Sequence, residues 1–467
     1  MRAGASAMSS ASASAVSERR AGDAPLHAPA FRLRRFANWF PLGLTYAALY
    51  MGRYNFNVYR NHAHELHGLS DAQVGTIATV GFWVYAASLL VNGPLAERFG
   101  GRRAILLGVA GASVANLAIA LFLRGPATDQ NVVVGLSLLY GANMYFQSFG
   151  AISVVKVNSA WFHWRERGLI GGVFGSMISL GYYLALGIGG LVYAHLPFWA
   201  LFLVPSVVLV AMLAVDVVLV RDRPSAAGHD DFDTGDEAQH AEKGDAAGGS
   251  TRGGGAGDEL PFRAVVARVL GHPVLQVLAF AEFCTGIVRQ GLLLHYGRFL
   301  AQVHGVTEKA TPGRYQIASL GITAGGILGA LLCGVLSDKV FGSRRAPVAF
   351  IFYGGQIVAL TALGMAQSSY VAVGLVGFSC MWIFGVHGML SGTASMDFGG
   401  RRAAATAAGL LDGVQYLGSG LVGFGLGALL DRYHWAIWPY ALLPFSAVGG
   451  LLMLRLWNAR PARAGGH

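Results

Sequence analysis

The chain has 467 residues, of which 54% are hydrophobic and only 12% charged, with a mean hydropathy of +0.50. A water-soluble domain carries about 25% charged residues, so this composition excludes water as the main solvent. A net charge of +10 would fit a nucleic-acid binder, but the basic residues lie in connections between apolar runs, not in one patch, so no nucleic-acid partner is expected.

Residues 1–35 are rich in Ala, Ser and Arg, with no apolar core and cleavage site directly after them, and read as a disordered tail. Apolar runs of about 20 residues, long enough to span a bilayer as helices, then follow. Hydropathy and flanking charge predict about twelve of them. They lie near 38–60, 73–93, 103–124, 131–156, 168–194, 198–220, 273–300, 313–335, 346–367, 370–394, 403–430 and 437–458. A barrel would need short alternating strands instead. The 66 glycines fit membrane helices, where groups such as Gly171, Gly172 and Gly175 or Gly423, Gly425 and Gly427 let backbones approach closely.

The first run, FPLGLTYAALYMGRYNFNVY, contains Arg53, and the seventh, VLQVLAFAEFCTGIVRQGLLLHY, contains Arg289. An arginine at membrane depth is expensive unless it faces a cavity or a partner. After the second run comes GPLAERFGGRR from Gly93, and after the eighth GVLSDKVFGSRR from Gly334. Between the two sets lies 222–262, a Gly/Asp/Ala-rich stretch with too little apolar content to fold, expected to be a flexible linker. Two six-helix bundles are therefore expected, at 36–221 and 263–458, followed by a short tail at 459–467.

These bundles read as copies. Gly93 and Gly334, Leu184 and Leu421, and Arg53 and Arg289 are each separated by roughly 240 residues, as parallel six-helix repeats require. Basic residues gather in alternate connections: Arg102 and Arg103, Arg165 and Arg167, Arg344 and Arg345, Arg401 and Arg402, and the tail Arg455, Arg460 and Arg463. The positive-inside bias places both termini in the cytoplasm of a cell's inner membrane. Cys284, Cys333 and Cys380 all fall inside predicted helices, which gives a disulfide framework no support.

The two loops resemble the hallmark of the major facilitator superfamily, Gly-x-Leu-x-acid-basic-x-Gly-basic-basic. The first copy runs through Gly93, Leu95, Glu97, Arg98 and Gly100 to Arg103; the second has Gly334, Leu336, Asp338, Lys339, Gly342, Arg344 and Arg345. Three further stretches resemble the organophosphate:phosphate antiporter family: Arg53-Tyr54-Asn55-Phe56, SVVKVNSAWFHWRERG over Ser153–Gly168, and IVRQGLLLHYGRFL through the second loop copy. The resemblance covers most of 36–458. It implies an all-α membrane protein with twelve transmembrane helices in two pseudo-symmetric bundles. It also implies exchange of an organic phosphate, glycerol- or hexose-phosphate-like, for inorganic phosphate by alternating access, with Arg53 and Arg289 as the phosphate-gripping pair. Two positions depart from the glycerol-phosphate branch: Ser88-Leu89-Leu90 stands where a helix-2 lysine is usual, and Ala160 where a histidine precedes the aromatic pair.

The residue types support this chemistry. A guanidinium is planar, permanently charged and able to grip two oxygens, so two of them suit a phosphate monoester. Tyr50, Asn55, Tyr296 and Gln415 are candidates for orienting the organic part. Glu282 lies two helical turns before Arg289 and reads either as its neutraliser or as a proton site. Asp412 is a functional acid or a packing residue, and His387 a core histidine or a proton relay. Lys156 snorkels to the interface or lines an exit. At the cytoplasmic face a latch is expected. Glu97, beside Arg98, would meet the start of the eleventh helix near Arg402, and Asp338, beside Lys339, the start of the fifth near Arg167. No metal-ligand spacing, nucleophile elbow or phosphate-cradling loop appears, so neither cofactor nor metal nor enzyme chemistry is expected. The expected partners are a small anionic metabolite, inorganic phosphate and the lipid bilayer, with the protein a monomer. Two rival readings stay open: a proton-coupled carboxylate carrier, and a membrane sensor of sugar phosphates.

Overall fold

The structure, a computed structural model, describes residues 27–125, 129–163, 166–235, 271, 273–342, 344–390 and 404–458. The described residues form twelve helical passes and no strand. In the first half these are α1 (Pro29–His67), α2 (Asp71–Phe99), α3 (Gly101–Arg124), α4 (Asp129–Gln147 continued by Phe149–Trp161), α5 (Arg167–Tyr183 continued to His195) and α6 (Ala200–Leu219). In the second half they are α7 (Pro273–His304), α8 (Pro312–Val335), α9 (Arg345–Met365), α10 (Ser369–His387), α11 (Ala404–Arg432) and α12 (Trp438–Ala441 continued by Leu443–Arg455). Among the described residues, ten helices are long and apolar enough to cross a membrane; α1 is not among them, because it carries Arg53, Arg60 and four asparagines.

Local chemistry sets the ends and breaks. Gly68, at φ 67°, closes α1 in a left-handed turn that accommodates glycine without strain. Ser70 and Gln73 form a capping box that starts α2 two residues later. Where α4 breaks at Ser148, the Tyr145 carbonyl accepts from Ser148 Oγ (2.8 Å) and Asn92 Nδ2 (3.2 Å), so the freed backbone group is satisfied without water.

The first part of the stretch expected as a linker, up to residue 235, is packed against the first half. Asp222 Oδ1 accepts from the Arg102 N–H at 2.7 Å, and the Arg221 carbonyl accepts from Trp161 Nε1 at 2.9 Å. Phe232 packs edge-on against Phe31 of α1. The stretch up to 235 therefore lies on the first half, held by one carboxylate at a helix start and one aromatic that the bulk composition conceals.

The halves meet through α1 and α7, α2 and α11, and α5 and α8. The contacts concentrate at one end. A Cβ on Gly75 would overlap the Gly423 carbonyl, so only glycine permits that approach of α2 to α11. Asp431 Oδ1 and Oδ2 accept from the N–H groups of Asp71 and Ala72, both at 2.8 Å, capping α2 from the opposite half. Glu308, in the α7–α8 connection, accepts from Asn61 Nδ2 (3.0 Å) and lies 2.9 Å from His62 Nε2. At the other end Gly93, Gly171, Gly172, Gly175, Gly334, Gly409 and Gly413 all face open space. Of the glycines expected to mediate close packing, Gly423 and Gly427 do so; Gly171, Gly172, Gly175 and Gly425 meet nothing within 4 Å among the described residues.

Glu308 makes closure of this end sensitive to acid. Burial opposes its ionisation, but the hydrogen bonds from His62 and Asn61 outweigh that and hold its carboxyl below the ordinary range. Its contribution is therefore fully present at neutral pH and lost as pH falls through the depressed value. Glu308→Gln is expected to weaken closure at pH 7 by about 2 kcal/mol, read as a longer spin-label distance between the 62–71 and 305–311 segments. On acidification the wild type should approach the variant.

Candidate anion-binding site between the halves

Arg53 from α1 and Arg289 from α7 converge on α11 from opposite halves, 0% and 2% exposed. Arg53 Nη1 donates to the Tyr416 hydroxyl at 3.1 Å, and Arg289 Nη2 donates to Gln415 Oε1 at 3.0 Å. The Arg289 guanidinium also lies over the Tyr416 ring, 5.6 Å from its centroid, so one tyrosine touches both cations. Tyr85 and Tyr50 present their ring faces to Arg53 at 4.3 and 4.9 Å. Each such face tempers a buried cation by about 1–2 kcal/mol, well short of a counter-charge. Among the described residues neither arginine has an ion pair, and Arg53 Nε and Nη2 and Arg289 Nε have no hydrogen-bond partner.

The scaffold aims both groups. The Gly52 carbonyl accepts from Asn116 and Asn143 (3.1 and 2.9 Å) and the Arg53 carbonyl from the Tyr140 hydroxyl (3.1 Å), which fixes the rotation of α1 at this level. A Cβ on Gly286 would overlap the Gln415 carbonyl, so this glycine brings α11 close enough for Gln415 to reach Arg289. Across the halves, Gln290 Nε2 donates to the Tyr54 hydroxyl at 2.9 Å.

Two turns from Arg289 toward the open end, Glu282 is fully buried, its Oε2 3.8 Å from His387 Nδ1. Neither Glu282 oxygen has a hydrogen-bond partner. Asp412, half-buried on α11, lies within electrostatic reach of Glu282 and both arginines. The three residues singled out for coupling thus form one layer beside the arginines.

Other expectations need correction. Asn55 does not line the site: its Nδ2 donates to Asn116 Oδ1 (3.0 Å) and the Leu201 carbonyl (2.9 Å) inside the first half. Two residues on from Arg53 it points to the far side of the helix. Tyr296 lies two turns toward the closed end, its hydroxyl 3.4 Å from that of Tyr315. The latch expected between the halves falls on partners outside the described residues. Glu97 pairs with Lys156, and Asp338 pairs with Arg345 at 2.9 Å, each within its own half. Arg98 and Lys339 are exposed; Arg402 and the Arg167 side chain lie outside the described residues. Sequence reasoning missed Tyr85, Asn116 and Asn143; the asparagines could have been flagged as polar groups within apolar runs.

An empty pair of buried, unpaired cations destabilises its own fold. Arg289→Met is expected to raise the melting temperature in anion-free buffer, by on the order of 1–3 kcal/mol of stability, and to abolish the stabilisation that phosphate gives the wild type. An arginine with a purely structural role would show the opposite sign.

Comparison with known proteins identifies the superfamily. The family model for the Major Facilitator Superfamily matches residues 42–423. Membrane sensor protein UhpC of Salmonella typhimurium is 26% identical over 436 residues, covering 90% of this chain and 91% of its own. The glycerol-3-phosphate transporter of Bacillus subtilis is 26% identical, with 92% and 94% covered. The hexose-6-phosphate:phosphate antiporter of Escherichia coli is 25% identical, with 88% and 87% covered. A solved bacterial homolog of the human lysosomal transporter Spinster shares the fold, with a TM-score of 0.65 at 17% identity over 92% of this chain and 94% of that one. The chain is a multi-pass membrane protein of the major facilitator superfamily, and its relatives place it with the organophosphate:phosphate antiporter family.

Proposed function

We propose that this protein is a secondary carrier that exchanges an organic phosphate, glycerol- or sugar-phosphate-like, for inorganic phosphate by alternating access. The observation that carries this reading is the pair Arg53 and Arg289, buried, without carboxylate partners, one from each half and both in contact with Tyr416. A phosphate monoester carries nearly two negative charges at neutral pH, so it neutralises both arginines at once. The empty site keeps two like charges uncompensated, which makes crossing without an anion costly; exchange follows without a separate coupling device. The names of the relatives support a phosphorylated substrate. Ser88 and Ala160 do not favour glycerol phosphate within that class.

The packing of the halves supports alternation. At the closed end Gly190 faces Tyr315 and Ser179 faces Gly326. Each step along α5 is matched by a step along antiparallel α8, so the same register continued puts Gly171 opposite Gly334, both now facing open space. These unopposed glycines fit a second state in which the open end closes as the other does now. The basic connections lie at the open end, which the positive-inside bias assigns to the cytoplasm, with both termini there and the protein in the inner membrane as a monomer.

Radiolabelled phosphate counterflow in proteoliposomes tests the reading. Unlabelled sugar or glycerol phosphates are expected to drive phosphate exchange, and Arg53→Lys and Arg289→Lys each to lower it at least about 100-fold through loss of bidentate geometry. The Glu282–His387–Asp412 layer favours a second reading, proton-coupled anion uptake. Uptake driven by a pH gradient with no internal phosphate would select it, and ligand binding without flux would instead identify a sensor.

A further inference from the structure

Two turns beyond Arg53 toward the closed end, on the same face of α1, lies another buried arginine. Arg60 is 1% exposed; its Nη1 donates to the Leu294 carbonyl of α7 at 2.9 Å, while Nε and Nη2 have no hydrogen-bond partner. Facing it from the other half is Arg298, 8% exposed, whose Nη1 donates to the Asn61 carbonyl at 3.0 Å. Both guanidinium groups approach the ring of Trp435, at 5.8 and 6.0 Å from its centroid. One carboxylate oxygen, Asp71 Oδ1, sits between them, 3.8 Å from Arg60 Nη2 and 3.3 Å from Arg298 Nε. Asp71 is held there by its backbone, because Asp431 binds the N–H groups of residues 71 and 72. Asp431 is exposed and committed to that helix start. The buried layer therefore sets two permanent positive charges against one ion-paired carboxylate, with the exposed Asp431 also within electrostatic reach of Arg60.

We infer that Arg60 and Arg298 form an outer docking site for phosphate-type oxyanions, and that the Asp71 carboxylate occupies it while this end is closed. The inference rests on the carrier reading above and adds a second anion site to it. Arg60 and Asp71 belong to the first half and Arg298 to the second. When this end opens, Arg298 leaves Asp71 and the Asn61 carbonyl behind, and the Leu294 carbonyl leaves Arg60. An arriving phosphate takes the place of Asp71, bridging the two guanidinium groups with its oxygens. Arg53 lies about 10 Å further in along α1, so the anion can pass from the outer pair to the inner one. Once it has moved inward, Asp71 pairs again with Arg298 and the end closes behind it. Asp71 is an internal stand-in for the substrate, and closure follows departure of the anion from the outer pair.

The test uses the full-length protein in liposomes with inorganic phosphate as the probe. In sided counterflow, Arg298→Gln is expected to raise the apparent KM for phosphate about tenfold at the face bearing Arg298 and to leave the opposite face unchanged, with Arg298→Lys recovering part of the loss. Equal KM changes at both faces, or a change in turnover alone, would overturn the docking site. A separate measurement does not depend on exchange: the spin-label distance between His64→Cys and Ala310→Cys, across the closed end. Phosphate is expected to lengthen it in the wild type, Arg298→Gln to need at least about tenfold more phosphate, and Asp71→Asn to lengthen it with no phosphate present. A wild type that exchanges no phosphate yet shows this distance response sinks the carrier reading and keeps the docking site. A distance insensitive to phosphate in the wild type, or equally sensitive in Arg298→Gln, sinks the docking site.

Discussion

Two guanidinium groups buried at one level, each carried by a different bundle and neither in an ion pair among the described residues, set the terms for the rest of the molecule. Desolvating one unpaired ion costs several kcal/mol after relaxation, and here two converge on a shared tyrosine. The surrounding polar groups give what relief a neutral protein can. Tyrosine faces lie against Arg53, Gln415 accepts from Arg289, and Asn116, Asn143 and Tyr140 hold the α1 backbone so that Arg53 points inward. Under the proposed function, the remaining deficit is what a bound anion relieves.

The contacts between halves follow the same economy of charge. The closed end uses short polar links and glycine approaches: Thr79 Oγ1 to the Gly420 carbonyl at 2.6 Å, Gln316 Nε2 to the Gly187 carbonyl at 2.7 Å, and the Asp431 cap on α2. Many of these join a side chain to a backbone group across the interface, so each is worth about 1 kcal/mol and can be broken singly. An interface built from such units can open without unfolding either bundle. At the other end, among the described residues, Glu97 pairs with Lys156 and Asp338 with Arg345, each a base of its own bundle.

Much of this was legible in the sequence because charge at membrane depth is rare and therefore conspicuous. Arg53, Arg289 and Gln415 stood out against apolar runs, and the duplicated loop from Gly93 and Gly334 declared two halves. What was not legible depends on rotation and conformation. Asn55 belongs to the same quoted stretch as Arg53, yet two residues on it faces the core of its own bundle. Tyr85 is one of 17 tyrosines, and only the crossing of α2 with α11 makes it a wall of the site. The latch expected at Glu97 and Asp338 falls on partners outside the described residues. The packed start of the linker turned on Asp222 and Phe232, which a composition average hides.

The central claim concerns where an anion sits, so the most direct measurement is an experimental structure determined with a bound phosphate monoester. The expected result places the phosphoryl group between the Arg53 and Arg289 guanidinium groups, with oxygens within about 3 Å of nitrogens of both. A phosphoryl group bound elsewhere, or either arginine found in an ion pair with Glu282 or Asp412 while the ligand is bound, contradicts it.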